Sequence, residues 1–289
     1  MRRLIVNADD FGLTTGVNRG IVESHQNGIV TAATLMTCGS GFEQAASLAK
    51  DLPRLSVGCH VVLVDGTPVV DPARIPSLVT LSSSTSSTSS PPRFRDSLMN
   101  FAMAATAGRL NEDEIEAEIT AQIRKLQSAG VAVSHLDSHK HTHMFPTVLR
   151  GMLRAARACG VRALRNPFEP LVFARLGGLK RSFQLRMMSS FRRNFRKALD
   201  DAGVSAPDGC IGVAATGGLT EQTFCELIQK LPEGTWEFVS HPGHNDAELD
   251  QLKTRLRESR EKELAILTAK ASKEVLRREQ VELISFREL

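Results

Sequence analysis

The sequence predicts an α/β fold, a single (β/α) barrel or distorted barrel of parallel strands wrapped by helices. Three observations lead there. Short runs of aliphatic and β-branched residues alternate with longer runs of helical periodicity along nearly the whole chain. About seven or eight such units follow one another, enough for a closed parallel barrel. Finally, the polar residues that interrupt the apolar runs gather where the strands end, which is where barrels of this kind carry their chemistry.

Taken in order, the expected strands are residues 4–8, 32–37, 57–63, 133–137, 163–165, 211–215, 235–240 and 281–286, each an apolar run of strand length. The expected helices are 16–27, 42–50, 112–129, 146–159, 221–230 and 250–276, read from apolar residues recurring at three and four. Asn111, three residues before Glu114, is placed to cap the 112–129 helix, and Gly130 to stop it. Gly28 and Gly160 mark two further helix ends. The tract 82–92, SSSTSSTSSPP after Leu81, cannot bury apolar surface and reads as a flexible loop inside one catalytic domain spanning 1–289. The alternation of strand and helix resumes after it, so it is not a boundary.

Composition narrows the function classes. With 42% hydrophobic and 24% charged residues, the 289-residue chain is of ordinary globular type and long enough to bury a core without staples. A net charge of +4 is too small to argue for a nucleic-acid partner. Five scattered cysteines with no CxxC fit reduced thiols in the cytoplasm. The start, MRRLIVNADDFG, meets two aspartates before a secretory apolar region can develop, and no run is long enough to span a bilayer. The expected location is therefore cytoplasmic. Peripheral contact with the inner membrane face is considered for one segment below.

The chemistry-bearing residues fall in clusters. Six of the eight histidines lie at or near expected strand ends. Asp9 and Asp10 are adjacent carboxylates after the first strand, and their mutual repulsion calls for a cation or strong donors beside them. One reading makes them a helix cap; the other gives metal binding to one and base catalysis to the other. In HLDSHKHTH, residues 135–143, four histidines crowd an aspartate. Extended backbone would set His135, Asp137 and His139 on one face. Histidine with carboxylate suits Zn²⁺ or another divalent ion with positions open to water and substrate. Not all can be ligands, so Asp137, His141 and His143 are assigned to orientation and substrate contact. His60, isolated in an apolar strand, would supply the further imidazole of a three-ligand site. His241 in FVSHPG is a candidate general acid.

NADDFG at 7–12, then GVNRGI, NGIVTAATLM, GCHVVL, HLDSHKHTHMFP and FVSHPG, together resemble the YdjC family of carbohydrate deacetylases, in order along nearly the whole chain. Residues 60–79 most resemble its hopanoid-biosynthesis-associated branch, HpnK. The resemblance implies a barrel related to NodB-like deacetylases and a metal-dependent hydrolase that removes an N-acetyl group from an amino sugar. A hopanoid-linked N-acetylglucosamine is the narrower candidate. It implies one divalent ion, Mg²⁺ or Zn²⁺, held by Asp10, His60 and His139, with Asp9 as base and His241 as acid. Arg165-Asn166-Pro167-Phe168 is similar to the Arg-x-Pro-aromatic motif of the NodB-like relatives, whose arginine orients the base. Two alternatives stand beside this reading: a metal-dependent phosphoesterase, which would want more bridging carboxylates, and a non-catalytic carbohydrate-binding barrel, which would have no need of both Asp9 and His241. The partners expected are an N-acetylated sugar or glycolipid and no nucleic acid; oligomer formation is left open.

One segment lies outside these motifs. Residues 180–199 are basic, with Leu185, Met188, Phe191, Phe195 and Leu199 at helical spacing. The pattern reads either as a core-facing helix with solvated arginines or as a helix that rests on an anionic membrane.

Overall fold

The computed structural model describes residues 1–80, 92–170, 172–173 and 189–289. The serine tract, apart from Pro92, and the first half of the basic segment lie outside the described residues. The sheet is parallel throughout and runs in the order β6 (Leu136–Ser138), β3 (Ser56–Val61), β2 (Ala32–Leu35), β1 (Arg2–Phe11), β8 (Gly234–Ser240) and β7 (Gly209–Ile211). β9 (Val281–Leu283) pairs with the first residues of β1. Isolated parallel bridges join Leu136 to Leu164 and Ala163 to Ser205, and the chain runs from Ser205 into β7. The ladder therefore continues, irregularly, from β6 round toward β7. This is the distorted barrel the alternation of elements predicts.

Helices cover the outside: α1 (Thr15–Gln26), α2 (Phe42–Asp51), α3 (Leu98–Thr106), α4 (Glu112–Ser128), α5 (Pro146–Cys159), α6 (Arg192–Ala202), α7 (Glu221–Gln229), α8 (Ala247–Asp250), α9 (Glu258–Thr268) and α10 (Lys270–Arg278). Leu4, Val6 and Ala8 of β1 belong to the main core, whereas Ile5 joins Ala32, Ala163, Ile284 and Phe286 in a separate cluster. Alternate residues of one strand thus face two layers. Asn111 caps α4 through its side-chain oxygen, as expected, and Gly160 ends α5 in the left-handed conformation. Gly20 allows a close approach: a Cβ there would stand 2.5 Å from Cα of Gly243, so its absence lets α1 press on the loop after His241.

Several expectations need correction. The strand expected at 211–215 ends at Ile211, because Gly212 turns the chain at φ +90°, and it begins earlier, at Gly209. In the strand expected at 163–165, Ala163 and Leu164 make isolated bridges but no regular strand forms. The helix expected over 250–276 begins only at Glu258, since 251–257 are not helical, and it is two helices, α9 and α10, broken at Ala269, whose ψ of 143° is extended. A two-stranded antiparallel pair, β4 (Val79–Thr80) with β5 (Arg93–Phe94), flanks the serine tract and was not foreseen. No helix among the described residues is long and apolar enough to cross a membrane.

Candidate active site

The site lies at the carboxyl ends of the central strands. Asp9 and Asp10 lie near the end of β1, just before Phe11, and in regular strand they would point to opposite faces. They do not, because Asp10 takes a left-handed φ of 68° and the pairing with β2 shifts register between Ala8 and Phe11. Such a conformation costs a residue with a Cβ roughly 1–2 kcal/mol. Its effect is to bring both carboxylates to one place.

Asp10 Oδ1 lies 3.5 Å from His60 Nε2 and 3.7 Å from His139 Nδ1. These three donor atoms fall within 4.8 Å of one another. The separations suit donors sharing one cation with bonds of about 2 Å. His60 is buried on β3, where its Nδ1 donates to Asp137 Oδ1 at 2.7 Å, leaving Nε2 to face Asp10. His139 opens a short 3₁₀ helix, His139–Met144, and remains partly exposed.

Behind the donors lies a buried charge network. Arg165 donates to both oxygens of Asp9, at 2.6 and 2.8 Å. It also reaches Asp137 Oδ2 at 2.7 Å and Glu237 Oε1 at 2.6 Å. Asn7 Nδ2 donates to Asp9 Oδ1 at 2.8 Å, and Thr34 Oγ1 to Asp137 Oδ2 at 3.0 Å. Four carboxylates thus meet two guanidiniums, since Arg260 Nη2 donates to Asp10 Oδ2 at 2.6 Å. Burial alone would raise the pKa of Asp9, but the Arg165 charge and its hydrogen bonds outweigh it and hold the carboxyl well below the usual range. Asp10 is held low in the same way, chiefly by Arg260 against burial. Burial disfavours a charged His60, yet Asp137, Asp9 and Asp10 push its pKa up to about 9. Positive charge is favoured at that spot, which is the electrostatic condition for a bound cation. Glu237 goes the other way: burial, only partly offset by Arg165, pushes it up to about 7.

His241 follows β8 and faces Asp9, its Nε2 3.9 Å from Asp9 Oδ2. Its backbone N–H donates to Glu263 Oε2 at 2.6 Å, and its Nδ1 lies 4.0 Å from the same oxygen. Asp9, Asp10, His60, His139, Arg165 and His241 are therefore brought together in one place.

Asp137 and His143 are placed differently from a substrate-contact role. Asp137 is fully buried behind His60, engaged with His60, Thr34 and Arg165. His143 is fully buried and hydrogen-bonded to Ser138 Oγ at 2.6 Å. His141 is half-buried at φ 55°, its ring 6.2 Å from that of His143. His135 sits one layer below the site, its ring stacked on Phe286 at 3.6 Å. Glu237, Glu263, Arg260 and Thr34 were not foreseen. A lone glutamate in the strand TWEFVS carried the same signal as His60, whereas Arg260 and Glu263 lie in the charge-rich run ESREKEL, where no single charge stands out.

A family model, the YdjC-like protein, matches residues 3–278. The chain belongs to the YdjC-like family. Among its YdjC-like relatives, a carbohydrate deacetylase of Brevibacillus brevis is 33% identical over 288 residues, covering 99% of each chain. One of Geobacillus stearothermophilus is 34% identical, covering 99% of this chain and 98% of the relative. A crystal structure from Enterococcus faecalis V583, provisionally described as a cellobiose-phosphate cleavage protein, superposes with a TM-score of 0.79 at 24% identity. It covers 99% of this chain and 98% of that one, and so shares the fold.

Proposed function

We propose that this YdjC-like protein is a metal-dependent hydrolase that removes the acetyl group from an N-acetylated amino sugar. The observation that carries the reading is the opposition of Asp9 and His241 beside three convergent donors, Asp10, His60 and His139. The two relatives described as carbohydrate deacetylases support the same class. Asp10, His60 and His139 would hold one divalent ion, Zn²⁺ or Mg²⁺. Such an ion polarises a carbonyl and lowers the pKa of water from about 16 toward about 7.

The residues divide the remaining work. Asp9, fixed by the bidentate Arg165, accepts a proton from the attacking water. Its depressed pKa makes it a weak base, which would suffice for a water whose own pKa a bound divalent ion lowers. Asp137 holds the His60 ring through Nδ1. His241 delivers a proton to the departing amine nitrogen, with Glu263 fixing its backbone. Acetate and free amine are the products.

The phosphoesterase alternative is less well supported. A second donor group, Asp9, His60 and Asp137, does lie within 4.8 Å, but Arg165 binds both of its carboxylates, so a second cation would meet a guanidinium. The non-catalytic alternative has no use for a base and an acid facing each other. Among acetamido sugars, a hopanoid-linked N-acetylglucosamine is the narrower proposal, supported by the likeness of residues 60–79. Residues 62–78 of this stretch connect β3 to β4, and the Val69 and Val70 N–H groups there donate to Glu118 at 2.9 Å each.

The test is acetate release from a panel of N-acetylated glycosides, soluble and lipid-linked, with and without chelator. Release that chelator abolishes and added Zn²⁺ or Mg²⁺ restores is expected. No acetate from any member, with phosphate released from sugar phosphates instead, would replace this reading with its rival.

A further inference from the structure

The two oxygens of Asp10 are divided between different partners. Oδ1 faces His60 Nε2 and His139 Nδ1, at 3.5 and 3.7 Å. Oδ2 is held by Arg260 Nη2 at 2.6 Å. Arg260 is itself 1% exposed, and its Nε is anchored on the Leu256 carbonyl at 3.1 Å. It comes from α9, on the opposite end of the chain from β1. One turn further along that helix, Glu263 holds the backbone of His241. Residues three apart share a helix face, so α9 braces two parts of the site at once.

We infer that Arg260 is a positioning residue that restricts Asp10 to a single metal-facing oxygen and, by its charge, limits how tightly the cation is held. This role presupposes the ligand set proposed above. Two effects of opposite sign meet in it. A fixed guanidinium keeps the carboxylate from swinging or from embracing the ion with both oxygens. The same guanidinium is a second positive charge on a carboxylate that the cation also needs, and in a buried site such repulsion is weakly screened. Arg260 and the cation are thus joint counterions of Asp10, and removing one should strengthen the other's hold.

The test is titration of metal-stripped protein with Zn²⁺, and with Co²⁺ as a spectroscopic probe, on the parent, R260Q, R260K and D10N. R260Q keeps an N–H donor but loses the charge, and it is expected to bind Zn²⁺ about tenfold tighter or more. Its Co²⁺ visible absorption should weaken as the second Asp10 oxygen raises the coordination number. R260K keeps the charge and is expected to stay within about threefold of the parent affinity. Equal or weaker Zn²⁺ binding by R260Q would overturn the role, as would tenfold tighter binding by R260K. Should R260Q fail to fold, R260K decides alone, and loss of metal from folded R260K would also overturn it. D10N separates the two levels. If D10N binds metal as the parent does, the ligand set itself is wrong; if it does not and R260Q is weakened, only the role of Arg260 is wrong.

Discussion

At Asp10 a left-handed backbone residue turns two neighbours in sequence into two neighbours in space. That is how one dipeptide can supply both the proposed metal-binding carboxylate and the proposed base. Replacing Asp9 by Asn removes the base but no proposed ligand, so metal content should be retained while turnover falls by about 10²–10⁴-fold. Near-parent kcat with metal confirmed would make Asp9 structural. His143 supplies a prediction of a different kind. Burial, with Arg165 nearby, pushes its pKa down to about 3. The unfolded chain binds this proton near pH 6.5 and the folded one does not, so the histidine's destabilisation is absent above pH 6.5 and grows as pH falls toward 3. Each unit across that window costs about 1.4 kcal/mol. Urea denaturation of His143→Gln from pH 7 to pH 4 should therefore show a shallower loss than the parent, and parallel curves would exclude a neutral buried His143. Residues such as Asp9, His60 and His241 were legible because a polar side chain at the end of an apolar strand is conspicuous. Arg260 was not, because a charge within a charged helix looks solvated until the fold shows where it points.

Elements were legible where one period dominates. The α4 and α5 helices fall within a residue of the expected ranges, since both cap signals and an apolar stripe agree. Failures came where an apolar run continues past its element. Val213 and Ala214 extend the run of β7, yet they pack in a small cluster with Cys210 and Val239 beyond the Gly212 turn. The basic segment is instructive in its described half. α6 buries Phe195 and Leu199 and leaves Arg192, Arg193, Arg196 and Lys197 exposed, so the expected stripe faces the core. Acidic neighbours temper the charge: Lys197 pairs with Asp201 at 2.6 Å, and Arg196 lies 3.8 Å from Asp208. If this face meets anionic lipid, each free basic residue contributes about 1 kcal/mol. Cosedimentation with phosphatidylserine vesicles should then fall with added salt and fall further in the R192Q/R193Q/R196Q variant. Indifference to both would leave α6 an ordinary solvated helix.

On the scale of the whole molecule, the proposed cation ties together parts of the chain that meet only in the folded state. Asp10 comes from β1, His60 from β3, and His139 from the turn after β6, while Arg260 reaches Asp10 from α9 across 250 positions. The unfolded chain cannot assemble this set, so a bound ion is linked to folding. At a free concentration of about 100 times Kd it adds about 2.7 kcal/mol of stability. For a chain of this size that corresponds to a rise in Tm of several degrees, at about 2–4 °C per kcal/mol. Thermal unfolding of the parent should accordingly drop on chelation and recover with added Zn²⁺. His60→Ala, which removes one ligand and leaves the strand framework, should unfold at one temperature with or without the ion. A chelator shift that persists undiminished in His60→Ala would place the cation elsewhere in the molecule. A parent protein with no shift at all, tested where bound metal has been verified, would mean that the ion does not bridge β1, β3 and the turn after β6.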